Sequence, residues 1–326
     1  MKRILGMGNA LVDILIPIEK DDILEKLELP KGSMQLVDLD RSHRVLNFLE
    51  GSERSLSAGG SAANTIHGLA KMGAEAGYIG VIGEDETGGY FVQDMINAGV
   101  DPHMIHSAAE SGKAIALISP DSERTFATFL GAAIELSAQH LNNGDYFTEV
   151  FKKYHYFHLE GYLVINHELV ETALKIARAN NMIISLDLAS YNVVEGNLEF
   201  LKEILKNYVD IVFANEEEAK AFTGKEPREA LEELGKHCKI AVVKTGAKGS
   251  MIKSGEEVFY VDVIPVRPVD TTGAGDLYAS GFLYGHSRDL PLQRCGEIGS
   301  ILAGNVISVI GAKMSKEQWD EIHKML

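Results

Sequence analysis

The chain has 326 residues, enough for about two domains of roughly 150 residues or for one large α/β domain with an appendage. Its 45% hydrophobic and 24% charged residues form an ordinary globular profile, which excludes disorder, collagen and coiled coil. With 31 basic against 47 acidic residues the net charge is −16, which disfavours nucleic-acid and membrane-surface partners, and two cysteines are too few for a disulfide framework, as suits the cytoplasm.

Met1-Lys2-Arg3 and the apolar run to Ile18 superficially resemble a signal peptide. Asp13 interrupts that run and no small-residue cleavage site precedes the charges at 19–22, so it reads as a buried strand. Along the chain, short apolar runs predict strands over 4–8, 78–82, 156–159, 182–187, 211–213 and 240–244. Helical patterns fall over 62–72, 90–97, 168–179, 198–206, 216–223, 229–237, 277–284 and 298–309, and a short surface helix is expected over 316–326. This alternation predicts an α/β fold: a doubly wound, mostly parallel sheet with helices on both faces. Regions 11–38 and 112–130 carry β-type runs without a long helix, which predicts a small antiparallel sheet projecting as a lid. No linker separates the lobes, so one domain over 1–326 is expected, and no run of about 18 apolar residues predicts a membrane span.

The 32 glycines exceed the roughly 23 of average usage, so several backbone positions should need positive φ or close approach by a ligand. The most informative stretch is Asp270-Thr271-Thr272-Gly273-Ala274-Gly275-Asp276, directly before the helix predicted from 277. Glycines at a helix start let backbone N–H groups converge on an anion, and the helix dipole adds to the attraction. Asp276 beside that cradle can accept the proton of a hydroxyl attacking phosphorus. On this reading Gly275 needs positive φ, and the helix terminus depresses the Asp276 pKa.

The same stretch resembles the C-terminal signature of the ribokinase-like (PfkB) carbohydrate and nucleoside kinases, and four further matches follow the family's order. Gly8-Asn9-Ala10-Leu11-Val12-Asp13 resembles the first strand with its substrate-binding Asp, and Gly59-Gly60-Ser61-Ala62-Ala63-Asn64 the paired glycines and Asn that hold hydroxyls. Asn215-Glu216-Glu217-Glu218 carries the Asn-x-x-Glu pattern associated with magnesium and phosphate, and Lys244-Thr245-Gly246-Ala247-Lys248-Gly249 resembles the nucleotide loop. The resemblance spans about 4–315.

It implies an ATP-dependent kinase in which Asp276 is the general base and Gly273, Ala274 and Gly275 cradle the phosphoryl group. Asp13, Gly59, Gly60 and Asn64 would bind the acceptor, and Asn215, Thr245, Gly246 and Gly249 the ATP. Glu218 would hold Mg²⁺ through water, and Asp270, Thr272, Gly311 and Ser315 would line a site for a monovalent cation, potassium. The adenine would lie near the helix over 298–311.

The residues carry independent physical readings. Asp13 in an apolar strand needs a polar partner such as a diol, or else sits at a strand end in water. Asn64 offers both a donor and an acceptor. The run Glu216 to Glu218 also suits a solvated first turn, and Arg124 could reach the transferring phosphate or be an exposed lid residue. Gly6-Met7-Gly8 lacks the third glycine of a dinucleotide fingerprint, no P-loop occurs, and His155 and His158 point to opposite strand faces.

The acceptor is expected to be an adenosine-like nucleoside, because the lid segments offer Met34, Leu36, Phe126 and Phe129 to a purine and only Arg124 to an anion. A sugar or sugar-acid kinase with the same core is the alternative, and a non-enzymatic binding regulator the third reading. The molecule is expected as a monomer or as a homodimer through the lid.

Overall fold

The computed structural model describes residues 2–121 and 123–326. In chain order the strands are β1 (Ile4–Met7), β2 (Leu11–Pro17), β3 (Met34–Leu36), β4 (Ser55–Gly59), β5 (Ala76–Gly83), β6 (Val100–Ser107) and β7 (Gly112–Ile118). They continue with β8 (Arg124–Phe129), β9 (Tyr156–Glu160), β10 (Ile183–Asp187), β11 (Ile211–Asn215), β12 (Ile240–Lys244), β13 (Ser250–Ser254) and β14 (Glu257–Val261).

The main sheet has the order β14-β13-β12-β11-β10-β9-β1-β5-β6. All its pairs from β12 to β6 are parallel, and β13 and β14 add an antiparallel edge. Every residue of β1, β5 and β9 is buried, as a sheet covered on both faces requires. Alternate residues feed two cores: Ile4, Tyr78 and Tyr156 on one face, and Leu5, Ile79 and Phe157 on the other. Each such fully buried apolar side chain contributes about 1.5 to 3 kcal/mol.

The second sheet has the order β3-β8-β7-β2-β4 and corrects the expectation of an antiparallel lid. It is mixed: β2 pairs parallel with β7 and β3 parallel with β8, while β2 with β4 and β7 with β8 are antiparallel. Its extent also differs, since β4 joins it from beyond residue 38. Among the described residues no helix is long and apolar enough to cross a membrane.

Candidate active site

The carboxyl ends of β9 to β12 meet the N-termini of two helices, Ser61–Lys71 and Ala274–Ser287. Ligands bind α/β sheets in such crevices. The two helices lie close: a Cβ on Gly68 would stand 2.5 Å from Ser280 Oγ.

The second helix starts at Ala274 and not at 277, so Gly275 lies inside its first turn and lacks the expected positive φ. That conformation belongs to Gly273, at φ 75°, where a Cβ would sit 2.5 Å from the Ala312 methyl. The first-turn N–H groups of a helix have no partner within it, so the anion cradle survives with Gly273 as its hinge.

Asp276 accepts hydrogen bonds from Ser61 Oγ at 2.7 Å and from Asn64 Nδ2 at 3.0 Å. Burial pushes its pKa up to about 6, against the lowering effect of those two bonds. The expected depression by the helix terminus is therefore overturned: desolvation outweighs the dipole, and the carboxylate is a stronger base than the sequence implied.

Asp13, on β2, has its pKa raised to about 6 by burial, which the nearby charge of Lys313 opposes. A Cβ on Gly59 would lie 2.3 Å from its Oδ1, so the glycine makes room for this carboxylate. Gly60 caps the Ser61 helix at φ 99°, and a Cβ there would meet Asn9 O at 2.2 Å. Asn64 directs one Nδ2 hydrogen to Asp276, and its buried Oδ1 has no hydrogen-bond partner among the described residues.

Both Glu218 oxygens are engaged by Asn215, one by its backbone N–H at 2.8 Å and one by Nδ2 at 2.7 Å, in a capping box that starts the helix Glu216–Thr223. Burial and the charge of Asp187 raise the Glu218 pKa to about 7. Lys244, ending β12, pairs with Asp187 at 2.9 Å. In the next loop the Thr245 hydroxyl donates to Gly249 O at 2.9 Å, Gly246 stands at φ 54°, and Gly249 at φ 88° passes too close to Val261 O for a Cβ.

Of the four residues expected to line a monovalent-cation site, Thr272 and Gly311 meet at Asp270. Asp270 is spoken for: Arg124 pairs with its Oδ2 at 2.5 Å, the Gly311 N–H reaches the same oxygen at 2.6 Å, and the Thr272 N–H reaches Oδ1 at 3.0 Å. Arg124 also donates to the Thr272 hydroxyl at 2.8 Å. Ser315 is exposed and caps the helix Lys316–Met325. A guanidinium thus supplies positive charge at Asp270, and Arg124 is a buried, paired side chain and not an exposed lid residue.

Strand register sorts the second sheet's side chains. Asp13, Ala114, Thr128 and Leu36 form one cross-strand row, and Leu15, Ala116, Phe126 and Met34 the next row on the same face. Met34 and Leu36 are 59% and 68% exposed, so an apolar surface continues from Asp13 to the sheet edge. Phe129 falls on the opposite face, in register with Lys113, which corrects its expected place around a purine.

Three residues near the site had no role in the sequence reading. Ser61 donates its hydroxyl to Asp276. Glu160 accepts from the Asn9 N–H at 2.9 Å, from Asn9 Nδ2 at 2.6 Å and from the Ala62 N–H at 3.0 Å, stitching the two glycine loops together. Lys313 buries its Nζ without a hydrogen-bond partner among the described residues, and burial pulls its pKa down to about 8 against the charges of Asp94, Asp13 and Asp276. A charge interrupting the apolar end of β9 was a signal for Glu160; Lys313 had none.

The pattern of the pfkB family carbohydrate kinases matches residues 32–319. A probable sugar kinase from Rhizobium etli CFN 42 is 31% identical and superposes with a TM-score of 0.88 over 99% of this chain and 98% of that one. The adenosine kinase from Sinorhizobium meliloti is also 31% identical, with a TM-score of 0.87 over 100% and 99% of the two chains. By sequence, an uncharacterized sugar kinase of Archaeoglobus fulgidus is 28% identical over 255 residues, 76% of this chain and 96% of that protein.

Proposed function

Because this chain belongs to the pfkB family of carbohydrate kinases, and is thereby a phosphotransferase acting on hydroxyl groups, we propose that it transfers the γ-phosphoryl group of ATP to a primary hydroxyl of an adenosine-like nucleoside. The observation that carries the nucleoside is the face shared by Asp13, Leu15, Phe126, Met34 and Leu36. Asp13 would take the ribose diol, and the apolar row beside it would cover a flat base. The 31% identity to an adenosine kinase over the whole chain supports the same class.

In this mechanism Asn64 Oδ1, an acceptor without a partner, receives one substrate hydroxyl, and Asp276 receives the proton of the attacking one. The hydroxyl oxygen bonds to the γ-phosphorus, the bond from phosphorus to the β,γ-bridging oxygen breaks, and ADP leaves. First-turn N–H groups of the helix Ala274–Ser287 stabilise the charge on the transferring group. The loop from Thr245 to Gly249 holds the nucleotide. Magnesium arriving with ATP fits the excess carboxylate charge of Asp187, Glu218 and Asp276; Glu218 would hold it through water, and it would neutralise phosphate oxygens. The second sheet covers the cleft and keeps water from the phosphoryl group.

A neutral-sugar kinase is the second reading, favoured by the equal identity to a probable sugar kinase. A sugar acid suits the site poorly, because Arg124 is paired with Asp270 and Lys313 lies among three aspartates. The test compares kcat/KM for adenosine, ribose, fructose and a sugar acid at saturating Mg-ATP. Adenosine should lead by at least about tenfold, near 1.4 kcal/mol in the transition state. A free sugar leading by that margin overturns the nucleoside assignment.

A further inference from the structure

We propose that Lys244 is a further catalytic residue, its ammonium taking a non-bridging oxygen of the transferring γ-phosphoryl group at the N-terminus of the helix Ala274–Ser287. This rests on the kinase reading above and adds a residue that the sequence motifs leave as a mere strand end.

Three observations place the ammonium there. Lys244 ends β12 in register with Asn215, so its side chain leaves the sheet at the cleft. A Cβ on Gly275 would stand 3.0 Å from Nζ, which puts the ammonium against the second residue of the helix, where convergent N–H groups await an anion. The side chain is 14% exposed, buried enough for a strong field without being sealed from solvent.

A purely structural role explains this placement poorly. A cation at a helix N-terminus faces the positive end of the dipole. Asp187 holds Nζ at 2.9 Å, yet its other oxygen already accepts the Ala189 N–H, and replacing a buried ion pair by apolar groups is often neutral for stability. A phosphoryl group entering between the ammonium and the N–H groups satisfies both at once. Burial opposes the lysine's charge, but Asp187 and Glu218 hold its pKa above the ordinary value, so it stays a fixed cation. During transfer Lys244 therefore keeps all its protons: the acceptor oxygen binds phosphorus, the bridging oxygen leaves with ADP, and the acceptor's proton goes to Asp276. Gly275 acquires a reason as well, since a β-carbon there would crowd Nζ.

The test uses the full chain with an acceptor that the wild type turns over. It compares wild type, Lys244→Met and Lys244→Gln, whose neutral amide can still donate to Asp187. Both variants should lose about 10²-fold or more in kcat, with the acceptor KM within about threefold of wild type. Calorimetry should find ADP affinity nearly unchanged, but affinity for ADP with aluminium fluoride, a mimic of the transferring phosphoryl, weakened by about 30-fold or more. If Lys244→Met fails to fold, Lys244→Gln supplies the same readings. Turnover within about fivefold of wild type in a folded variant, or undiminished aluminium fluoride binding, overturns the assignment while leaving the kinase reading standing. A wild type that phosphorylates neither nucleosides nor sugars overturns both.

Discussion

The side-chain amide of Asn64 donates to Oδ2 of Asp276 across 3.0 Å. The group expected to bind substrate and the group expected to act as base thus form one unit, built on two helices that pack at their N-terminal ends. Its consequence is directional. One Nδ2 hydrogen goes to Asp276, while the buried Oδ1 has no partner among the described residues, so a bound hydroxyl that meets this oxygen donates to it.

The pH dependence of turnover should report Asp276. A base whose pKa is pushed up to about 6 is ionised above that value, so kcat/KM should rise through about pH 6 and level off. Ser61 Oγ donates to the ionised form and holds the pKa down; Ser61→Ala removes that bond, so the rise should move to higher pH. Asp276→Asn should lower kcat by about 10²-fold or more at every pH. An unmoved profile in Ser61→Ala would exclude Asp276 as the titrating group.

Gly60 should tolerate no side chain. At φ 99° an L residue is strained by about 1 to 3 kcal/mol, and its Cβ would also meet Asn9 O at 2.2 Å, a backbone atom that Glu160 holds in place through the Asn9 N–H. Gly60→Ala should therefore lower thermal stability and raise the acceptor KM together. Gly89 is the control: it lies in the helix Glu86–Ala98 with open space around its Cβ position, so Gly89→Ala should stabilise by up to about 1 kcal/mol. Equal melting temperatures for the two variants would contradict this account.

What the sequence revealed follows from how local each cause is. The helix Glu216–Thr223 and strand β12 were read at their observed limits, because a capping box and a Val-rich run ending in Lys-Thr-Gly are local signals. β4, of sequence Ser-Leu-Ser-Ala-Gly, was missed because it lacks strand-forming side chains and exists through pairing with β2. The helix start was misplaced at 277 because glycine has poor helix propensity, yet first-turn residues give up no internal N–H bond. The Asp276 pKa was read in the wrong direction because the dipole is visible in sequence, whereas the packing that desolvates the carboxylate is not. Lys313 escaped notice for the same reason: its neighbours Asp13, Asp94 and Asp276 come from three distant segments.

The Arg124–Asp270 pair leads to an expectation about salts. Asp270 organises the loop before the helix Ala274–Ser287 by accepting the Gly311 and Thr272 N–H groups, and its charge is met by a guanidinium carried on β8. Both side chains are 8% exposed, so water screens the pair little and a bound alkali ion would have to displace the arginine. Replacing potassium by tetramethylammonium at constant ionic strength should therefore change kcat/KM by less than about twofold. Arg124→Met strands the buried carboxylate, which should cost about 3 to 5 kcal/mol of stability. In that variant potassium should recover part of both stability and turnover, because Asp270 then needs a cation. A wild type that loses more than about tenfold of its kcat/KM without potassium would show that the guanidinium does not fill this role.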